Sequence, residues 1–252
     1  MLIFTIASRE LKSLFLSPLA WVILAVVQVI IAYMFLIQLD NFVELQPQLA
    51  AREGAPGLTD MVVAPLFGNA AIVLLLVAPM LTMRLISEER RAQSLTLLFS
   101  APLSMTEIIL GKYLGVMAFF FIMLALIALM PLSLLLGGGT LDAGKFAAGL
   151  MGLGLMIASF AALGLFMSAL TSYPGVAAVS TFGVLLLLWI IDWAGNAGSQ
   201  ASGLFGYLSL LRHYESLLKG VFNSADVAYY LLFIVTFLVL AIRRLDADRL
   251  QH

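Results

Sequence analysis

Six apolar runs, each close to the roughly 20 residues a helix needs to cross a bilayer core, leave this chain little choice of fold class. They lie near 19–39, 62–85, 113–136, 146–170, 176–193 and 227–242. In the first, 13 of 21 residues are Leu, Ile, Val or Phe. At about −0.3 to −0.6 kcal/mol each at mid-helix, they outweigh one buried Gln28. Composition agrees: 63% of residues are hydrophobic and 11% charged, where a soluble domain has about 45–50% and 25%. The reading is an all-α integral membrane protein of six transmembrane helices. Arg9 and Lys12 precede the first run as they would in a signal peptide, but the run exceeds the 7–15 residues such a peptide uses, so a retained span is expected.

Lysine and arginine predict the sidedness. With the N-terminus in the cytoplasm, Arg9, Lys12, Arg84, Arg90, Arg91, Lys112, Arg243, Arg244 and Arg249 fall inside, and Arg52, Lys145, Arg212 and Lys219 outside. Nine of 13 inside predicts both termini cytoplasmic and an even number of spans. Residues 1–17 read as a separate interfacial helix. Thr5, Ser8, Arg9, Lys12 and Ser13 cluster on one face, Ile3, Ile6, Leu11 and Leu14 lie largely opposite, and Pro18 interrupts before the first span.

On the other side, 40–61 carries Pro47, Gly54, Pro56 and Gly57 and reads as an irregular or partly helical loop. The segment 194–223 opens with glycines at 195, 198, 203 and 206. It then turns helical, with Leu208, Leu211, Glu215 and Leu218 at helical spacing and Gly220 as the stop. Its leucines make it too apolar for free solvent, which predicts that it dips into the leaflet or packs on the bundle.

The polar stretch 84–113 is the most informative. Arg84 and Glu88 are four apart, and Glu88 and Arg91 three apart, spacings that allow pairing on one helix. Leu95, Leu98 and Phe99 form a short apolar stripe, and Pro102 ends the element. Ser104-Met105-Thr106-Glu107 then reads as a capping box, with Leu103 and Ile108 as a hydrophobic staple. The expectation is a short helix, a sharp stop and a fresh helix running into the third span. The charges alone are equally those of a solvated helix end.

The whole string closely resembles the cytoplasmic signature of ABC-2 type transporter permeases. It has a glutamate pair after span two, a Thr/Leu-rich helix, Ser100-Ala101-Pro102, and then Glu107-Ile108-Ile109-Leu110-Gly111-Lys112. The resemblance implies that 87–102 is a coupling helix docking into a cleft on a separate ATPase, carried by Glu88, Glu89, Arg90, Arg91, Ser94, Leu95, Leu98, Phe99 and Pro102. It further implies a permease with two cytosolic ABC ATPase subunits and a second permease chain, identical or related, in a bacterial inner membrane. ATP and Mg would then sit on the partner and no cofactor in this chain. In 208–249, Leu210-Leu211-Arg212-His213-Tyr214-Glu215-Ser216, Lys219-Gly220-Val221, Asp226 to Tyr230 and the Arg/Asp-rich tail look like the gliding-motility-associated branch of that family.

Other chemistry finds little support. No charge lies mid-span: Arg84, Lys145 and Asp192 sit at span ends, which weakens an ion-coupled carrier. Gln28 and Asn69 are isolated polar groups, each expected to hydrogen-bond between helices. Ala148/Gly152 and Gly154/Ala158/Ala162 repeat at four-residue spacing in span four, a close-packing pattern. Gly152-Leu153-Gly154 is not a dinucleotide fingerprint, and the chain has no P-loop motif. Ser159, Ser168 and His213 lack the flanking elbow of a serine hydrolase. With no cysteine, two histidines and a net charge of −1, thiol chemistry, His-rich metal sites and nucleic-acid binding are disfavoured. The alternative to transport is a membrane scaffold that transmits force for an ATPase and moves no solute.

Overall fold

The helix breaks in this chain fall where the sequence supplies proline, a capping side chain or a turn. The computed structural model describes residues 2–50, 56–93, 103–136, 138–195 and 207–250, and these contain helices and turns but no strand. α1 (Leu2–Leu16) stops at a bend on Ser17, and Pro18 opens α2 (Pro18–Ala50). Proline fits a first helical position because its missing N–H would be unpaired there anyway. A π-helical turn (Thr59–Val63) leads into α3 (Ala64–Thr82), and α4 (Ser87–Arg91) follows. Then come α5 (Met105–Leu136), α6 (Ala143–Leu170), α7 (Pro174–Gly195), α8 (Leu210–Leu218) and α9 (Ser224–Leu250).

Six helices are long and apolar enough to cross a membrane, as the sequence predicts. The ends of the apolar runs are not the ends of the helices. The segment 40–61 is helical up to Ala50, with Pro47 inside α2. At about 1.5 Å per residue, 33 residues outreach a core of about 30 Å. α5 begins at Met105, eight residues ahead of the apolar run, because the capping box starts it. Ser104 Oγ accepts from Glu107 N (3.2 Å), and Glu107 Oε2 accepts from Ser104 N (3.0 Å). α8 ends as expected at Gly220, whose φ of +79° suits glycine. Val221 N donates to Ser216 O and Gly220 N to Leu217 O, the paired bonds of a Schellman stop.

α6 is the core helix: 67% of its most apolar stretch is buried, against 17% in α7 and 28% in α2. α3 runs beside it in the same direction, in register. Phe67 meets Gly149, Thr82 meets Gly164, and the Ile86 amide meets Ser168, a constant offset of 82 residues. A Cβ on Gly149 would lie 2.9 Å from the Phe67 ring, and one on Gly164 would lie 2.0 Å from Thr82 Oγ1. Small residues of this kind let membrane helices approach at backbone distance.

A second glycine pair does the same for α1. Gly111 and Gly115, four apart on α5, face Ile6 and Glu10; a Cβ on either would come within 2.6 Å of them. The apolar side of α1 therefore lies along α5. Trp21 Nε1 donates to Phe15 O (2.8 Å) across the α1–α2 bend, and the Phe15 ring packs on Phe119.

Candidate functional site

The turn at residues 83–86 decides the geometry of the polar stretch. It is held by one hydroxyl: Ser168 Oγ on α6 accepts from the amides of Ile86 and Ser87 (3.0 Å each) and donates to Met83 O (2.9 Å). That uses the full hydrogen-bonding capacity of a serine hydroxyl. Thr82 Oγ1 donates back to Ala78 O, and Ser87 Oγ donates to Met83 O. Ser159, the other serine weighed as a nucleophile, donates to Leu155 O within its own helix.

Because 83–86 is a turn, Arg84 and Glu88 are not on one helix and the expected pair is not formed; Glu88 and Arg91 share α4 but do not pair either. α4 instead divides its charges. Glu89 turns inward to Lys112 Nζ (2.8 Å), and Lys112 also holds Glu10 of α1 (3.3 Å). Lys112 is 4% exposed, so one buried cation on α5 joins α1 to α4. Arg90 turns the other way. It donates to Ala169 O (2.7 Å) at the end of α6 and pairs with Asp248 of α9, which Arg244 also holds (3.3 Å). Glu88 and Arg91 are exposed, and neither makes an ion pair among the described residues.

A cavity of about 250 Å³ lies between α1, the 83–86 turn with the start of α4, and the start of α5. Arg9, Arg84 and Glu88 line it together with the Glu10–Lys112–Glu89 cluster, and Leu103 and Ile108, the expected staple, form its apolar wall. Of the nine residues expected to couple the chain to an ATPase, Glu88 and Glu89 line this cavity, and Arg90 and Arg91 follow them on α4. Ser94, Leu95, Leu98, Phe99 and Pro102 lie outside the described residues. Sequence reasoning gave Glu10, Lys112, Ser168 and Asp248 no part in this junction, and weighed Ser168 only as a nucleophile. Only Lys112 carried a local signal, as the last residue of the Gly-Lys motif.

The four expected packing residues are spread along α6. Gly152 faces α8, where a Cβ would lie 2.9 Å from Leu217 Cβ. Gly154 is in no such squeeze, its nearest neighbour being Leu124 at 4.0 Å. The Ala158 carbonyl accepts from Tyr113 OH (3.0 Å), and Ala162 is fully buried.

At the opposite end of the bundle, α8 is sunk against α3, α6 and α7. Tyr214 OH donates to Phe67 O (2.9 Å), and burial pushes its phenol pKa up, so it stays a neutral donor. His213 is buried, with Nδ1 2.6 Å from Asp226 Oδ1 and Nε2 3.1 Å from Tyr207 O, and its ring stacks on Tyr229 at 4.1 Å. Ser216 Oγ donates to the other oxygen of Asp226 (2.5 Å). Here the carboxylate lies between histidine and serine, so the histidine is not placed to take the serine proton as a catalytic base would. The cluster fastens α8 to α9. Asp226→Ala, which removes the hydrogen-bond partner of both His213 Nδ1 and Ser216 Oγ, is expected to cost about 1–3 kcal/mol. In detergent it should lower the thermal midpoint by several degrees. Among the described residues, no three or more His, Asp or Glu side chains converge as metal ligands would.

The family model described as ABC-2 family transporter protein matches residues 4–250. The chain belongs to the ABC-2 transporter family. It is thus the permease subunit of an ABC transporter, a multi-pass membrane protein whose family implies ABC ATPase partners. Members of the family are generally non-catalytic membrane subunits. A search of curated proteins found no match. For an ABC-2 permease, the α4 junction is the place where four separate elements are tied by charge to the end of the second span.

Proposed function

We propose that this chain is one half of an ATP-driven exporter gate in a bacterial inner membrane, with both termini cytoplasmic and α4 as the point where force enters. Two permease chains, identical or related, would work with two cytosolic ATPase subunits that carry the ATP and Mg. The split of charge on α4 is the observation that carries this reading. Glu88 and Arg91 are exposed and without an ion pair among the described residues, suited to a partner protein, while Glu89 and Arg90 face inward and grip α5, α1, α6 and α9. A push on α4 would reach α1 and α5 through Lys112, and α6 and α9 through Arg90, re-angling the spans around a largely apolar path. The gliding-motility-associated resemblance would concern ancestry within the family and assigns no cargo.

The charge-reversed double variant Glu88→Lys/Arg91→Glu tests the docking face. Neither side chain has an ion-pair partner among the described residues, so the variant should insert and melt like the parent. Its affinity for the ATPase is expected to fall about tenfold or more. Unchanged affinity and unchanged ATPase stimulation would remove α4 from the interface. A force-transmitting subunit that moves no solute would use the same junction, and ATP-dependent cargo movement in proteoliposomes separates the two readings.

A further inference from the structure

Of Gln28 and Asn69, the two polar residues expected to bond between helices, one is satisfied among the described residues and one is not. Gln28 Nε2 donates to Met123 O (3.3 Å), joining α2 to α5. Asn69 on α3 has no hydrogen-bond partner among the described residues, and it lines a groove of about 590 Å³ between α3 and α8, with Trp189 of α7 on its far wall. This volume lies within the range of ligand sites, about 300–1,000 Å³. A carboxamide in a membrane span without a partner gives up hydrogen bonds that cost free energy to leave unmade.

The lining of the groove changes along α3. Its deep part is apolar, formed by Ile72, Leu218 and Trp189. Asn69 lies about 7 Å deeper than Ala64, where α3 begins, at roughly 1.5 Å per residue. At the mouth are Asp60, Glu215 and Lys219. Asp60 is held by Lys145 (2.6 Å), whereas Lys219 and Glu215 form a loose pair at 3.7 Å with side chains 73% and 49% exposed. Two carboxylates and two ammonium groups leave the rim with no net charge.

We infer that this groove is a binding site for a phospholipid with a zwitterionic head. Lys219 faces the phosphate and Glu215 the ammonium, exchanging a loose exposed pair of little worth for two complementary contacts. The Asn69 amide donates to an ester carbonyl below the head, supplying its missing partner. One acyl chain runs down past Ile72 and Trp189. A neutral rim gives an anionic head no net attraction, so the site selects phosphatidylethanolamine over phosphatidylglycerol. This inference holds whether or not the chain exports a solute.

The test uses the full chain in nanodiscs of phosphatidylethanolamine and phosphatidylglycerol, each lipid in turn carrying a diazirine on its acyl chain, with adducts mapped by mass spectrometry. Adducts of the phosphatidylethanolamine probe should concentrate on α3 and α8. Asn69→Leu should lower that labelling about three- to tenfold, the worth of one hydrogen bond, with partial retention in Asn69→Gln. Ala64→Phe, which fills the mouth, should block it. The inference is overturned by even labelling of the lipid-facing helices, by equal labelling with both heads, or by labelling that Asn69→Leu leaves unchanged. It is also overturned if Asn69→Cys, in a chain with no other cysteine, forms a disulfide between two copies at full yield, because a second copy would then occupy the groove.

Discussion

Lys112→Met is expected to abolish coupling between ATP hydrolysis and the spans while the protein still inserts. Methionine matches the length and apolar stem of lysine but leaves Glu10 and Glu89 facing one another without the cation between them. Removing one partner of a buried ion cluster costs about 3–5 kcal/mol. Here the loss should sit lower, at roughly 2 kcal/mol, because the Glu10 and Glu89 side chains keep 20% and 31% exposure and can hydrate. That is a fall of about 4–8 °C in thermal midpoint for a chain of this size. The functional loss should be larger than the stability loss, since Lys112 is the buried cation with which both α1 and α4 form an ion pair. Two further variants separate the effects. Lys112→Arg should restore most coupling, whereas adding Glu10→Gln and Glu89→Gln to Lys112→Met should restore the thermal midpoint but not permease-stimulated ATPase activity. If Lys112→Met keeps normal stimulation, force does not travel through this residue.

What could be read from the sequence was what depends on neighbours in the chain. Apolar run length gave the six spans, and the bond pattern of Ser104 with Glu107 gave the start of α5, because a capping box closes within four residues. Gly220 gave the end of α8 for the same reason. The misreading of Arg84 and Glu88 shows the limit of such reasoning. Their spacing is favourable only if the backbone between them is helical, and there a hydroxyl from 82 residues away wins the amides instead. The partners that organise the junction are further away still: Lys112 and Glu10 are 102 residues apart, Arg90 and Asp248 158. Nothing periodic marks them. Asn69 illustrates the opposite case. Its isolation was plain in the sequence, but among the described residues the expected interhelical bond is not made, because the groove between α3 and α8 removes the neighbour that Gln28 has.

The α3–α6 seam connects this packing to the junction, and Gly164→Ala is expected to expose the connection. The new Cβ would sit 2.0 Å from Thr82 Oγ1, 2.7 Å from Thr82 Cβ and 3.2 Å from Thr82 Cγ2. Turning the threonine about χ1 cannot relieve a clash with its own Cβ, so the two helices must part. Overpacking of this kind costs about 1–3 kcal/mol. Because α3 and α6 run in register, the wedge acts one helical turn from Ser168, which anchors the amides of Ile86 and Ser87. Lifting that turn displaces α4 and weakens both the Glu89 and the Arg90 arms. The single methyl should therefore lower the thermal midpoint by several degrees and also reduce ATPase coupling. Gly149→Ala, 15 residues away on the same seam, meets only the edge of the Phe67 ring at 2.9 Å, which can tilt, so it should disturb neither measurement as much. Thr82→Gly in the Gly164→Ala chain hands the space back and should recover most of both losses. If the two single glycine variants behave alike, or Thr82→Gly fails to rescue, the seam does not set the position of α4.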